Sequence, residues 1–317
     1  MDYLTIKTEI VERVGVITLD HPPLNSVSKR MMVEMMRALD EFEQNDVVRA
    51  IMVKANGPDF SYGADGGDVK KGINGEAEEI SESFSVLGNR LVERIDCCPK
   101  PTLVAAKGRC IGGSTAMFNA FDIRIVGEGF RMHDGDIYYG TVGSWGMSSL
   151  RLPMWIGRNK VLDYMFLNED FTGRQCYELG LASEVVADEL VEVVGLATAK
   201  KMSKAAPIAV KYYKDCVRKA TQNNIEEARA FELKAAEIVF ATEDSKIGLK
   251  SVVENHGVPN CEFYGRSALK NRGGKISFPP LSLSKKSGWS WAFSGRYGRV
   301  GKGDERCWNA GKWIEIW

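Results

Sequence analysis

No run of apolar residues in this 317-residue chain is long enough to span a bilayer, so no membrane partner is expected. The opening Met1-Asp2-Tyr3-Leu4-Thr5 lacks the basic segment and apolar stretch of a secretory signal, and a cytoplasmic location is the resulting expectation. Histidine is scarce, with three dispersed residues, and no C-x-x-C occurs; a metal site therefore has little to be built from. The seven cysteines are an odd count, with Cys97 and Cys98 adjacent, which suits reduced packing thiols better than a disulfide framework. Net charge is also absent, at zero. That zero hides an asymmetry: residues 267–317 carry ten Lys and Arg against three Asp and Glu, leaving 32 against 39 in residues 1–266. A mildly acidic body argues against nucleic acid as a partner, because neutralising phosphates takes clustered Lys and Arg.

What is present is the balance of a globular chain, 44% apolar and 26% charged. Val14 to Leu19 is a β-branched run that reads as a strand, ending at the turn Asp20-His21-Pro22-Pro23. Ser28 offers an N-cap, and Met32, Met35, Met36, Leu39 and Phe42 fall at helical spacing as core filler. Residues 49–54 read as a second strand, followed by a Gly-rich loop over 56–72. Residues 76–96 read as one amphipathic helix, stopped by Pro99 and Pro101, and residues 102–106 as a buried strand. The order strand, helix, strand, helix, strand is that of an α/β domain.

Two glycine-bearing segments each follow a strand. The first is Gly57 to Asp68, containing Tyr62-Gly63-Ala64-Asp65-Gly66-Gly67. The second is Lys107-Gly108-Arg109-Cys110-Ile111-Gly112-Gly113, which opens a helix. Glycine lets a backbone approach a ligand closely, and the first N–H groups of a helix lack internal partners. A negative oxygen is the natural occupant of such a place.

The chain resembles the crotonase superfamily, the enoyl-CoA hydratase/isomerase group, over residues 3–266. The resemblance rests on Gly63-Ala64-Asp65, Lys100-Pro101-Thr102, Gly108 to Gly113, Asp122-Ile123, Gly140-Thr141, Ile156-Gly157-Arg158-Asn159-Lys160 and Thr172-Gly173 through Gly180-Leu181-Ala182, in that order. It implies an α/β fold, a spiral of ββα repeats over residues 1–200. A C-terminal helical region over 201–266 would mediate assembly as a homotrimer or dimer of trimers. It implies an oxyanion hole formed by the backbone N–H groups of Ala64 and Gly113, which hold the carbonyl oxygen of an acyl-CoA thioester. Coenzyme A then enters as part of the substrate, with no permanently bound cofactor and no metal. The same resemblance points to Tyr62, Asp65 and Gly66 at the adenine pocket and to Lys29 or Arg30 at the phosphates.

The acid–base residues depart from the hydratase pattern. Ala116 stands where hydratases carry one Glu, three residues after Gly113. The second Glu belongs four residues after a Phe and four before the Gly of G-T. Counting from Phe130 gives Asp134 and counting back from Gly140 gives Asp136, so this loop is two residues longer. Arg131 to Tyr139 thus gathers His133, Asp134 and Asp136 where the family keeps its acid. If the stretch is extended, Asp134 and Asp136 share a face, opposite His133. One carboxylate suffices to shuttle a proton in an isomerase, whereas hydration favours two groups around the water. Tyr138 or Tyr139 is a candidate to assist hydration or retro-aldol cleavage. His133 beside Asp134 keeps open a carbon–carbon hydrolase of a cyclic ketone or diketone, and Ala116 an inactive member. Trp145 is placed to wall an acyl or ring pocket, or simply to pack. His21 reads as a turn residue. His256 reads as solvated at a helix end. Val253 to Gly257 lacks the basic run that family members carry before a terminal Phe. Residues 267–317, with five of the seven Trp, eight Gly and seven Ser and no periodicity, read as an unstructured basic tail.

Overall fold

A computed structural model describes residues 3–76, 80–139, 142–222, 225–254 and 261–265. The expectations for Gly140-Thr141, His256 and the tail 267–317 lie outside the described residues. A hairpin of β1 (Ile6–Val11) and β2 (Val14–Leu19) leads into α1 (Lys29–Gln44) and β3 (Ala50–Ala55). There follow α2 (Gly66–Asn74), α3 (Phe84–Asp96), β4 (Thr102–Ala106), β5 (Arg109–Ile111) and α4 (Gly113–Asn119). After β6 (Ile123–Gly127) and β7 (Arg131–His133), a 3-10 turn (Asp136–Tyr139) precedes α5 (Leu152–Ile156) and α6 (Arg158–Leu167). Then come β8 (Phe171–Thr172), α7 (Gly173–Glu178), β9 (Glu184–Val186) and α8 (Val191–Met202). The last helices are α9 (Pro207–Gln222), α10 (Ile225–Phe240) and α11 (Glu243–Glu254).

Six strands form one sheet in the order β1-β2-β3-β4-β6-β9, parallel except for the β1–β2 hairpin. A second sheet has the order β5-β7-β8. The large sheet is covered on both faces, which is why its strands are continuous Val/Ile/Leu/Ala runs rather than polar alternations. Alternate residues divide between two cores. Ile17, Leu19, Ile51, Val53, Val104 and Ala106 join α1, α3 and α4, whereas Val14, Val16, Met52, Leu103 and Ala105 join α8. The repeated ββα units match the ββα spiral that the resemblance led us to expect.

Local chemistry sets the helix starts. Ser28 caps α1 by accepting from Met31 N–H at 3.1 Å, and Met31, Met32, Met35, Leu39 and Phe42 are buried beneath it. The segment expected as a loop to residue 72 instead contains α2, because the Asp65 carboxylate caps it through Gly67 and Asp68 N–H. That cap outweighs the low helix propensity of three glycines. The single helix expected over 76–96 begins only at Phe84, where Ser83 provides the cap.

Candidate active site

The two glycine segments lie side by side because backbone pairing brings them there. Ser61 bridges Cys110 in parallel, donating to Arg109 O at 3.0 Å and accepting from Ile111 N–H at 3.0 Å. Beyond that bridge the two segments stay close, up to Gly63 on one and Gly113 on the other. Gly63 confirms the approach: its φ is +80°, and a Cβ there would stand 2.4 Å from Ile111 O and 3.4 Å from Gly113 N. On the other flank, Ala64 bridges Val27, which donates to Gly63 O and accepts from Asp65 N–H. In such a parallel bridge the N–H of Ala64 itself points away from Val27. Gly113 opens α4, so its N–H has no intrahelical acceptor. Two donors beside a helix N-terminus make a place for an oxyanion.

The loop after β7 is tied to the same spot, since Gly112 N–H donates to His133 O at 2.8 Å. Strand β7 ends at His133 and a 3-10 turn starts at Asp136, so the extended arrangement with both carboxylates on one face does not form. Asp134 continues the inward face of Met132 and is 2% exposed. Its Oδ2 accepts from Ser148 Oγ at 2.5 Å and its Oδ1 from Asp136 N–H at 3.4 Å. Burial raises the pKa of this carboxyl, opposed first by the Ser148 hydrogen bond. Asp136 is half-buried, with Oδ2 3.3 Å from where a Cβ on Gly143 would stand; Ser148 Cβ is equally close to that point. Both carboxylates therefore converge on Gly143 and Ser148. His133 faces the other side of its strand, with Nδ1 3.0 Å from Asp170 Oδ1. That is ion-pair distance without hydrogen-bond alignment, because the same nitrogen has no hydrogen-bonding partner. Asp170 also pairs with Arg109.

On the Val27 side of Ala64 lies a polar cavity of about 280 Å³. Lys29, Arg30, Lys71 and His21 line it together with Asp65 and Asp68. The acids are occupied by backbone: Asp68 accepts from Lys29 N–H at 2.7 Å, and Asp65 caps α2. Three cationic side chains, Lys29, Arg30 and Lys71, stand against these two carboxylates and leave a small excess of positive charge. Lys29, expected at a helix surface, is buried, and its Nζ donates to Ile80 O at 3.2 Å.

The remaining expected residues divide. Asp65 is in the cavity wall and Gly66 starts α2 beside it, whereas the Tyr62 hydroxyl donates to Asp59 at 3.2 Å. The exposed Tyr138 donates its hydroxyl to Phe166 O at 2.6 Å, which engages it away from Asp134. The side chain of Tyr139 lies outside the described residues. Trp145 is buried against Gly113. Sequence reasoning missed Ser148, Asp170, Lys71 and the cavity position of His21. It also missed Tyr164, which is buried, stacked on Phe171 at 4.3 Å and left with an unpartnered hydroxyl. Its ionisation is pushed upward by burial and then by Asp134. Only pairing and tertiary packing bring these residues to the site.

A family model described as enoyl-CoA hydratase/isomerase matches residues 9–260. A probable enoyl-CoA hydratase of Bacillus subtilis is 29% identical over 251 residues, 78% of this chain and 95% of that one. A short-chain-enoyl-CoA hydratase of Clostridium acetobutylicum is 27% identical over 248 residues, 78% and 93% of the two chains. An enoyl-CoA hydratase structure from Bacillus anthracis superposes with a TM-score of 0.74 at 24% identity, covering 83% of this chain and all of that one. The fold, the ordered motifs and these likenesses agree: the chain belongs to the enoyl-CoA hydratase/isomerase family, within the crotonase superfamily.

Proposed function

We propose that this chain is an acyl-CoA enzyme that holds a thioester enolate on the N–H groups of Ala64 and Gly113 and moves protons with Asp134, as an isomerase or hydratase. The observation that carries this reading is the close approach of the Gly63 backbone to Ile111 and Gly113, with Asp134 anchored one strand end away through Gly112 and His133. The basic cavity beyond Ala64 is the place for the coenzyme A phosphates, with Lys29 and Arg30 among their partners. A buried carboxyl with raised pKa is suited to carry a proton at neutral pH, and Ser148 orients it. Asp136 stands close enough to share this work. With Ala116 in place of a second Glu, proton transfer within an enoyl chain is the simpler chemistry. Its steps are removal of a proton beside the thioester, accumulation of negative charge on the carbonyl oxygen, and return of the proton further along.

The test offers α,β-enoyl-CoA and β,γ-enoyl-CoA thioesters and follows hydration and double-bond migration. Gly113→Pro removes the donor, whereas Gly113→Ala adds a Cβ and keeps it. Turnover of the Pro variant should fall below that of the Ala variant by about 10²–10³. Both variants press a Cβ on Trp145, so the comparison is read on a folded Ala variant with measurable turnover, and equal turnover there refutes the role of that amide.

One observation favours a second reading, a carbon–carbon hydrolase of a cyclic ketone or diketone: the 3.0 Å approach of His133 to Asp170. Loss of nearly all turnover in His133→Ala selects it. For assembly we propose a homotrimer or a dimer of trimers built through the helical region 201–266, supported by exposed Tyr213, Val217, Leu233, Phe240 and Leu249 on α9 to α11. Among the described residues no helix is long and apolar enough to cross a membrane.

A further inference from the structure

The loop from Gly143 to Ser148 lays an indole beside the oxyanion donors. Trp145 is 6% exposed. A Cβ built on Gly113 would stand 2.7 Å from its Cη2 and 2.9 Å from Cζ2 and Cζ3. On α3, a Cβ at Gly88 would stand 2.1 Å from Cε2 and 2.3 Å from Nε1. Phe84 packs on the same ring with centroids 5.6 Å apart. The indole is therefore wedged between two helices that both meet it with glycine, and no larger side chain fits at either point. Its loop is pinned as well. Asn89 donates to Ser144 O at 3.4 Å, Ser144 and Ser85 hydroxyls meet at 2.9 Å, and Ser148 binds Asp134.

The direction of a bound thioester follows from its two fixed ends. Its coenzyme A part occupies the basic cavity on the Val27 side of Ala64, and its carbonyl oxygen lies on Ala64 and Gly113. The acyl carbons then leave on the opposite flank, between Gly113 and Asp134, because Asp134 must reach the carbons that exchange protons. Trp145 stands three residues before Ser148 on the loop that closes this flank, already in contact with Gly113.

We infer that Trp145 is the stop that sets acyl length, so that the site takes CoA thioesters of short acyl groups and rejects long straight chains. The inference rests on the acyl-CoA reading above. A filled, pinned volume cannot accept the further methylenes of a long chain without expelling the indole, and each buried methylene otherwise contributes about 0.8 kcal/mol to binding.

The test measures dissociation constants of butanoyl-, hexanoyl-, decanoyl- and hexadecanoyl-CoA for the full chain by calorimetry, which needs no assumption about the reaction. The wild-type protein should bind butanoyl-CoA more tightly than decanoyl-CoA. Trp145→Ala should shift that ratio toward decanoyl-CoA by about tenfold or more, the worth of roughly two methylenes. Trp145→Phe keeps an aromatic packing group between the two glycines and should shift it in the same direction by less, so the measurement stands even if the Ala variant fails to fold. Binding of all four thioesters with an unchanged ratio in the variants, or a wild-type preference for the long chains, overturns the role of Trp145 alone. Failure of every thioester and of free coenzyme A to bind overturns the acyl-CoA reading and this inference with it.

Discussion

Asp134→Asn separates catalysis from stability at one atom. The carboxyl is 2% exposed and accepts from the Ser148 hydroxyl at 2.5 Å. Asn keeps the shape and an oxygen able to accept from Ser148, but it cannot take a proton. Turnover of an enoyl-CoA substrate should therefore fall by about 10²–10⁴, with little change in thioester affinity. Stability should move the other way. Burial raises the folded-state pKa above the ordinary 3.8, so the stabilisation from Asp134 is complete below 3.8 and is lost as pH rises through the folded value. Each unit of that raise corresponds to about 1.4 kcal/mol. At neutral pH the wild-type chain bears this cost of a buried anion and the Asn variant does not. The variant should melt about 2–4 °C higher for each kcal/mol relieved, and its advantage should vanish in acid. Steady-state kinetics and melting curves across mildly acidic to mildly alkaline pH check both halves. Wild-type turnover in the variant refutes the acid–base assignment. A lower melting point at neutral pH refutes the view that burial opposes ionisation here.

Gly63→Ala places a Cβ at φ +80° and 2.4 Å from Ile111 O, so it should cost about 1–3 kcal/mol and lower turnover. Wild-type melting and turnover would show that the two loops tolerate separation. His133→Ala should leave turnover within a few-fold under the carboxylate mechanism; near-complete loss transfers the chemistry to the His133–Asp170 pair. Lys29→Met should weaken thioester binding about tenfold and flatten its salt dependence, and an unchanged dissociation constant places the phosphates elsewhere. Truncation after Arg266 should leave melting temperature and oligomer mass unchanged. The Asp244 carboxylate holds Tyr264 and Gly265 N–H at 2.8 and 2.7 Å, and an insoluble or dissociated product counts against a dispensable tail.

Strands β2, β3 and β4 were legible because they are apolar runs bounded by turn residues, and α1 because Ser28 and the methionine stripe announce it; β1, mostly exposed and polar, was not. The proposed oxyanion pair, Ala64 and Gly113, came only from the family motif. Composition and periodicity show glycines after strands, but they do not show the pairing of Ser61 with Cys110 that brings the two loops together. Helix α2 was missed because its three glycines read as a loop, although the Asp65 carboxylate satisfies two otherwise unpaired N–H groups. The two counts to the acid diverged because the loop after β7 is longer by two residues, and the 3-10 turn absorbs that length. It leaves Asp134 in line with the inward face of β7 and Asp136 half-buried beside Gly143.

The loop from Gly143 to Ser148 explains why so little of the site's specificity could be read from the chain. It carries no charged residue and no family motif beyond its start. Yet Trp145 contacts the helix that bears one oxyanion donor, and Ser148 holds the buried carboxyl. These two contacts are three residues apart on one pinned segment, so on the proposed reading the shape of the acyl space and the proton affinity of Asp134 would be linked. A substitution that expels the indole also disturbs the hydroxyl that lowers the pKa of Asp134. The linkage has a sign: loss of the Ser148 bond leaves burial unopposed by its strongest partner, raising the pKa of Asp134 further and moving the alkaline rise of base-dependent turnover to higher pH. Ser148→Ala should therefore shift the pH profile upward without altering acyl-length preference, whereas Trp145→Phe, which keeps the loop seated, should alter preference without shifting the profile. A Trp145 variant that changes both shows the loop moving as one piece, and a Ser148 variant with an unmoved profile removes Ser148 from the acid–base chemistry.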